Sequence, residues 1–332
     1  LQLWDAPNLK LGKTIEHSVE KGGILPNFEP PTCVKIRVIA HIFYLMVTED
    51  SNQSKEKYIN ILTDFGFKKL FGTEPNKYLL RDFLNLILPE QHQIKELTYK
   101  KTKNLGSTPL DRKAIFDIYC ESETGEKFIV EVQKAKQNYF KDRSVYYATF
   151  PIQEQAKKGD WNFKLSSVYT VGILDFIFDD HKKDENLLHY VELKNQDCKV
   201  FYDKLKFIYL ELPKFHKTEQ ELESHLDKWL FVLTHLSELS SRPVALQEKV
   251  FEKLFAAAEI ANFTPQERQA YETSLKYYRD IKNVVDTSLE EGLKKGRKET
   301  LKEVVNNMKL AGVANVDIAK YTGLSESEVE QL

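Results

Sequence analysis

Apolar residues recur at two different periods along this chain, and the change of period divides it. Between Lys57 and Leu212 short apolar runs alternate with helical stretches, whereas after Pro213 the spacing is helical to the end. From Thr63, a residue suited to an N-cap, Asp64, Phe67, Lys68 and Phe71 fall at i, i+3, i+4 and i+7. That spacing predicts a short helix with an aromatic face and a charged edge, stopped at Gly72. Pro75 restarts the chain into a second helix, Asn76 to Leu88, with Tyr78, Leu79, Phe83, Leu86 and Ile87 inward. Ile94 to Lys101 reads as a strand, Asn104 to Asp111 as a loop, and residues 114–133 as a hairpin of two apolar runs around a turn holding Gly125. A helix follows from about Tyr139 to Lys158, kinked or ended by Pro151, and then strands at Ser167–Phe178, Leu187–Leu193 and Leu205–Leu212.

The second half predicts helices at Thr218–Leu239 and Val244–Asn262, and a long one opened by Thr264 and Pro265 that runs to about Leu310, with Gly292 and Gly296 interrupting it. Val316–Tyr321 and Ser325–Leu332 form a helix-turn-helix-like ending, with Ser325 and Glu328 placed for a capping box. At the other end, residues 1–37 have little pattern and carry Pro26, Pro30 and Pro31, while Cys33 to Val47 is apolar enough for an edge strand. The expected divisions are a leader at 1–55, an α/β domain at 56–212, a helical region at 213–310 and a small tail at 311–332. Met46 is the expected natural start.

Composition adds limits. A net charge of −2 over 332 residues offers no global attraction for nucleic acid. Locally, residues 95–113 hold six basic groups (Lys95, Lys100, Lys101, Lys103, Arg112, Lys113) against Glu96 and Asp111, a balance of six minus two, or +4. That stretch reads either as a track for a phosphate backbone or as the solvated edge of a strand and loop. Cys33, Cys120 and Cys198 have no metal-ligand spacing, and no histidine spacing indicates zinc. No dinucleotide fingerprint, phosphate loop or serine elbow is present. No apolar run reaches the roughly 18 residues of a membrane span, so the expectation is a cytoplasmic chain with no membrane partner.

The candidate chemistry lies in the hairpin. Along its two runs Asp117 and Glu131 occupy matching places in apolar strands, where a carboxylate is costly to bury without a cation. They read either as solvent-facing positions or as the holders of one divalent ion. Phe116-Asp117-Ile118, the turn, and then Val130-Glu131-Val132-Gln133 resemble the core of the PD-(D/E)xK nuclease superfamily, with Gln133 where many members carry Lys. Thr63-Asp64-Phe65-Gly66-Phe67-Lys68-Lys69-Leu70-Phe71 resembles the opening helix of one branch, the Rpn recombination-promoting nucleases, often labelled transposases. The resemblance spans roughly residues 57 to 332 and implies an α/β, restriction-endonuclease-like core with a helical C-terminal region.

It also implies Mg2+-dependent cleavage of DNA, with Mn2+ as a substitute ion. Asp117, Glu131 and the Val132 carbonyl would hold the ion, and Asp64, Lys68 and Gln133 would complete the catalytic set. Lys134 is expected on the opposite strand face, which leaves Lys68 to supply the missing positive charge; its other reading is an exposed helical pair with Asp64. Lys100, Lys101, Lys103, Lys113, Arg143 and Gln155 are the candidate DNA contacts. Gln133→Lys is expected to keep or raise activity. The segment from Thr264 on, which lacks the acidic set, is expected to serve affinity or self-association and to be dispensable for the chemical step. A degenerate DNA-binding or regulatory protein with the same fold, and a helical assembly protein, are the other readings.

Overall fold

The computed structural model describes residues 56–89, 92–104, 114–156 and 162–332. The expected leader and the edge strand at Cys33–Val47 lie outside the described residues, as does Lys113. Helix α1 (Asp64–Phe71) begins where local chemistry places it: Thr63 Oγ1 accepts the Gly66 N–H at 3.0 Å, with Asp64 in the first turn and Lys68 and Lys69 in the last. Gly66 is required by space, because a Cβ there would stand 2.2 Å from the Asn60 carbonyl oxygen. One 3-10 turn leads into α2 (Lys77–Ile87), which buries Leu79, Leu80, Phe83, Leu84 and Ile87.

The strands follow as β1 (Leu97–Tyr99), β2 (Lys103–Asn104), β3 (Ala114–Ile115), β4 (Ile118–Ser122) and β5 (Lys127–Gln133). Gly125 takes the left-handed φ of 91° that the β4–β5 turn requires. Helix α3 (Phe140–Gln153) carries Pro151 in its last turn and stops soon after it, before the expected end. Then come β6 (Val168–Leu174), β7 (Leu188–Lys194) and β8 (Val200–Glu211). Among the described residues six of these strands make one sheet in the order β1-β4-β5-β6-β8-β7, with β5, β6 and β8 parallel and the other neighbours antiparallel. β8 starts earlier than its apolar pattern indicates, because Val200 and Tyr202 pair with β7 across an irregular register at Glu192–Lys194.

The predicted helix at Thr218–Leu239 is divided. Thr218 and Glu221 form one capping box around a 3-10 turn, and Ser224 and Asp227 form a second that starts α4 (His225–His235). After α5 (Lys249–Ala258), α6 (Pro265–Leu310) runs for 46 residues from the Thr264–Glu267 capping box. Gly292 and Gly296 lie within it, and a Cβ added at either would meet no side chain or other element within 4 Å among the described residues. Helices α7 (Asn315–Thr322) and α8 (Glu326–Gln331) fold back on its end around Val305, Ile318 and Val329, with Gly323 at φ 72° between them.

The sheet is thus an α/β core with helices on both faces. Val130, Val132, Val171, Ile173, Ile208 and Leu210 form one buried cluster with residues of α1, α2, α4, α5 and the start of α6. Ile129, Leu174 and Tyr209 face α3 on the other side. The first cluster extends to Tyr271 and Tyr278, so the helical region after Pro213 shares the core of the α/β unit. Among the described residues no helix is long and apolar enough to cross a membrane.

Candidate active site

The hairpin register puts Ile118 opposite Val130, which brings Asp117 beside Glu131. The Asp117 backbone N–H donates to Glu131 Oε1 at 3.2 Å, and Asp117 Oδ2 accepts the Val132 N–H at 2.9 Å. Helix α1 delivers two charges to the same place: Lys68 Nζ is 2.6 Å from Asp64 Oδ1 and 3.9 Å from Asp117 Oδ1. The Asp64–Lys68 pair of the sequence reading and the charge bridge to Asp117 are therefore the same arrangement.

Burial raises the Asp117 carboxyl above the usual range, the Val132 N–H and Lys68 oppose that, and Asp64 adds to it. Glu131, only 9% exposed, is raised further, first by burial and then by the Asp117 charge. Two desolvated carboxylates sharing one nearby ammonium suit a hard divalent cation, which prefers one or two carboxylates, a carbonyl and water. The donor set fits such an ion.

Gln133, also buried, is held at both ends of its amide. Its Nε2 donates to the Ala135 carbonyl at 3.0 Å, and its Oε1 accepts Arg143 Nη2 at 2.5 Å. Arg143 in turn lies over the Phe140 and Tyr147 rings at 4.9 and 5.7 Å. In this structure Arg143 meets Gln133, and Tyr147 packs with Phe116, Tyr119 and Ile129.

Asp117, Val132 and Gln133 open on a cleft of about 1270 Å³ whose near wall is α1, with Asp64, Lys68 and Lys69. The far wall is the start of α6, including Gln269, Thr273, Ser274 and Tyr277. The segment from Thr264 on, expected to be dispensable for the chemical step, thus lines the cleft. Tyr278 donates its hydroxyl to Asp175, whose backbone N–H caps the Gln133 carbonyl at 2.9 Å. Ser274 Oγ accepts the Phe65 N–H at 3.1 Å, so α6 also braces α1.

Lys134 follows strand alternation, on the Val132 side rather than the Gln133 side, and that side is the one that lines the cleft with Asp117. Burial lowers its pKa against the pull of Asp64 and Asp117, and its ammonium lies over the Tyr277 and Tyr278 rings. Lys134, Asp175 and Tyr278 are the site neighbours that sequence reading missed.

Several expected DNA contacts are not brought to the cleft. Gln155 staples the end of α3 to the start of β6, accepting the Ser166 N–H at 2.7 Å and donating to the Pro151 carbonyl at 3.0 Å. Lys100 is tied to Glu121 at 3.0 Å, beside Lys127 at the far end of β5. Lys101 is exposed just after β1, and Lys103 is described only through its backbone pairing with Ile115.

A parallel three-strand centre flanked by a carboxylate-bearing hairpin, with Asp117 lining a helix-walled cleft and Glu131 buried beside it, is the arrangement of a PD-(D/E)XK α/β core. A family model described as PD-(D/E)XK nuclease family transposase matches residues 61–288, and the chain belongs to that family. The match runs past Leu212 and takes in the part of α6 that walls the cleft. No curated protein and no solved structure matches the chain.

Proposed function

We propose that this protein is a divalent-metal-dependent DNA endonuclease with little sequence preference, using Mg2+ and accepting Mn2+. The observation that carries the reading is the Asp117–Glu131 pair: two carboxylates, both desolvated, locked together across a hairpin, with Asp117 lining the cleft and Glu131 buried beside it. Asp117, Glu131 and the Val132 carbonyl hold the ion. A bound divalent ion supplies Lewis acidity toward the phosphoryl group and lowers the pKa of the attacking water. Lys68 and Lys134 place positive charge beside that position, Asp64 orients Lys68, and Gln133 is fixed by Arg143 to hydrogen-bond near it.

The substrate follows from the family's nuclease chemistry and from an open cleft of about 1270 Å³ beside Asp117. Its α6 wall offers amides and hydroxyls, donors suited to backbone contacts without base readout. Lys100 and Lys101 would serve only as an outer track for longer DNA. The exposed apolar positions Val284, Leu289 and Leu293 of α6 suit self-association. Nicking and recombination are compatible without any strand-joining step.

The test is nicking of supercoiled plasmid by the full chain with Mg2+, with chelator, and with Asp117→Asn. Cleavage that needs the metal and vanishes in the variant supports the reading. Metal-independent cleavage, or an unaffected variant, sinks it. Salt-dependent DNA binding without any cleavage would instead favour a degenerate binding protein.

A further inference from the structure

We propose that His181, His189 and Glu211 form a second metal site, for a borderline first-row ion of the zinc class. Three separate segments converge there: the 3-10 turn Asp179–His181, strand β7, and the last residue of β8. Glu211 is wholly buried. His181 Nδ1 lies 3.0 Å from Glu211 Oε1, and His189 Nε2 lies 3.1 Å from Glu211 Oε2. The two imidazoles stack with centroids 4.0 Å apart, so both inner nitrogens face the one carboxylate, and the three ligand atoms lie within 4.8 Å of one another. Ligands about 2.1 Å from a tetrahedral ion stand roughly 3.4 Å apart, a few tenths of an ångström from the two histidine–Glu211 distances.

The outer nitrogens carry the second observation. His189 Nδ1 is 3.7 Å from Asp184 Oδ2, and His181 Nε2 is 3.9 Å from Asp180 Oδ2. Each ring thus has a carboxylate on its far side, a few tenths of an ångström beyond hydrogen-bond distance, and a short closure would give the outer hydrogen bond that fixes the tautomer of a metal-bound histidine. On ion binding the inner nitrogens give up hydrogen bonding to Glu211, and the ring protons sit on the outer nitrogens facing the aspartates.

A buried carboxylate needs compensation, and that alone could place cations around it. Glu211, however, already has the Lys214 ammonium at 2.7 Å on Oε2 and the Phe178 N–H at 2.9 Å on Oε1. Lys214 is anchored on its other side by the Asn186 carbonyl at 2.8 Å. A carboxylate has about four acceptor positions, so both partners can remain while an ion takes a third. The two imidazoles and their outer aspartates exceed what neutralising Glu211 requires.

The donor set selects the ion. Two imidazoles and one carboxylate suit zinc-class metals, whereas Mg2+ takes oxygen ligands, so the two sites of this chain would not compete. Glu211 is in register with Leu174, and Leu174 with Gln133, which puts the proposed site two strands from the acidic pair on the same sheet. An ion there would pin the edge strand β7 and the segment after β6 to the sheet, with one position open to water.

The test uses the full chain, stripped with chelator and reloaded with Zn2+ in excess Mg2+. Metal content, zinc-edge X-ray absorption and melting midpoint are measured. The expected result is one zinc per chain with two imidazoles in its shell and a raised midpoint, retained in Glu131→Gln and lost in both His181→Gln and His189→Gln. No bound zinc, or an all-oxygen shell in the unsubstituted chain, overturns the proposal whether or not the histidine variants fold. Zinc lost in Glu131→Gln and kept in the histidine variants also overturns it, by assigning the ion to the acidic pair.

Discussion

The Tyr278 hydroxyl donates to Asp175 Oδ2 at 2.8 Å, joining residues 103 positions apart. Through it α6 reaches the segment that closes the end of β5, since the Asp175 N–H caps the Gln133 carbonyl. Burial raises the Asp175 carboxyl while the Tyr278 hydrogen bond opposes that shift, so the phenol favours the charged form. Tyr278→Phe should therefore cost about 1–3 kcal/mol, read as a lowered denaturant midpoint, and should reduce cleavage by loosening the strand end. An unchanged midpoint would mean that water replaces the phenol. A chain truncated after Asn262 should fail to fold cooperatively, because Tyr271 and Tyr278 belong to the main core.

Two glycine substitutions should act with opposite signs. At Gly66 an added methyl meets the Asn60 carbonyl at 2.2 Å and Thr63 Oγ1 at 2.8 Å. Gly66→Ala should then destabilise by about 1–3 kcal/mol and disturb the Asp64–Lys68 pair that the same helix presents. A Cβ added at Gly292 would meet no side chain or other element within 4 Å among the described residues, so Gly292→Ala should stabilise the helix by roughly 0.5–1 kcal/mol. Thermal melts of the two variants settle both, and a stabilised Gly66→Ala would refute the packing argument.

The parts of this fold legible in sequence are those written in a few consecutive residues. Thr63, Thr264 and Ser325 each cap a helix with their own side chain, and each announces itself within four positions. The hairpin that pairs Asp117 with Glu131 is equally local. What was not legible depends on distant contacts: α6 as the cleft wall, the Tyr278–Asp175 bond, and the gathering of His181, His189 and Glu211. Lys134 follows the alternation from Val132; what no local pattern announces is that α1 and α6 make that side the cleft. Gln155 looked available from its position after the hairpin, yet backbone groups around Ser166 and Pro151 engage its amide.

The acidic pair should leave a pH signature in the metal-free protein. Burial, and then the Asp117 charge, push the Glu131 carboxyl up to about 8 from an ordinary 4.5. A carboxyl whose folded pKa exceeds its unfolded one binds its proton more tightly when folded. Its stabilising contribution is complete below the unfolded value and is lost as pH rises through the folded one. Glu131→Gln removes that loss, so its melting midpoint should exceed that of the unsubstituted chain increasingly from about pH 5 to about pH 8. Mg2+ should narrow the gap by stabilising only the chain that keeps the carboxylate. A gap that does not vary with pH would show that Glu131 is not the group titrating.

Gln133 is where the structure changes the expected outcome of a substitution. Superfamily chemistry favours Lys at this position, which on its own implies preserved or increased activity for Gln133→Lys. Here, however, Gln133 Oε1 accepts Arg143 Nη2 at 2.5 Å in a position only 8% exposed. An ammonium offers no acceptor, and it would face the guanidinium as a like charge. Arg143 is held in place by the Phe140 and Tyr147 rings, so moving it away forfeits those contacts. Gln133→Lys alone should therefore lower both stability and cleavage, by about 1–3 kcal/mol in the former. Arg143→Met should be harmful alone, because it leaves the amide oxygen without its donor, and should rescue Gln133→Lys when the two are combined. Melting and plasmid-nicking measurements on all four chains give the coupling between the positions. Additive effects, or full activity in the single Lys variant, would show that Arg143 does not set the chemistry tolerated at residue 133.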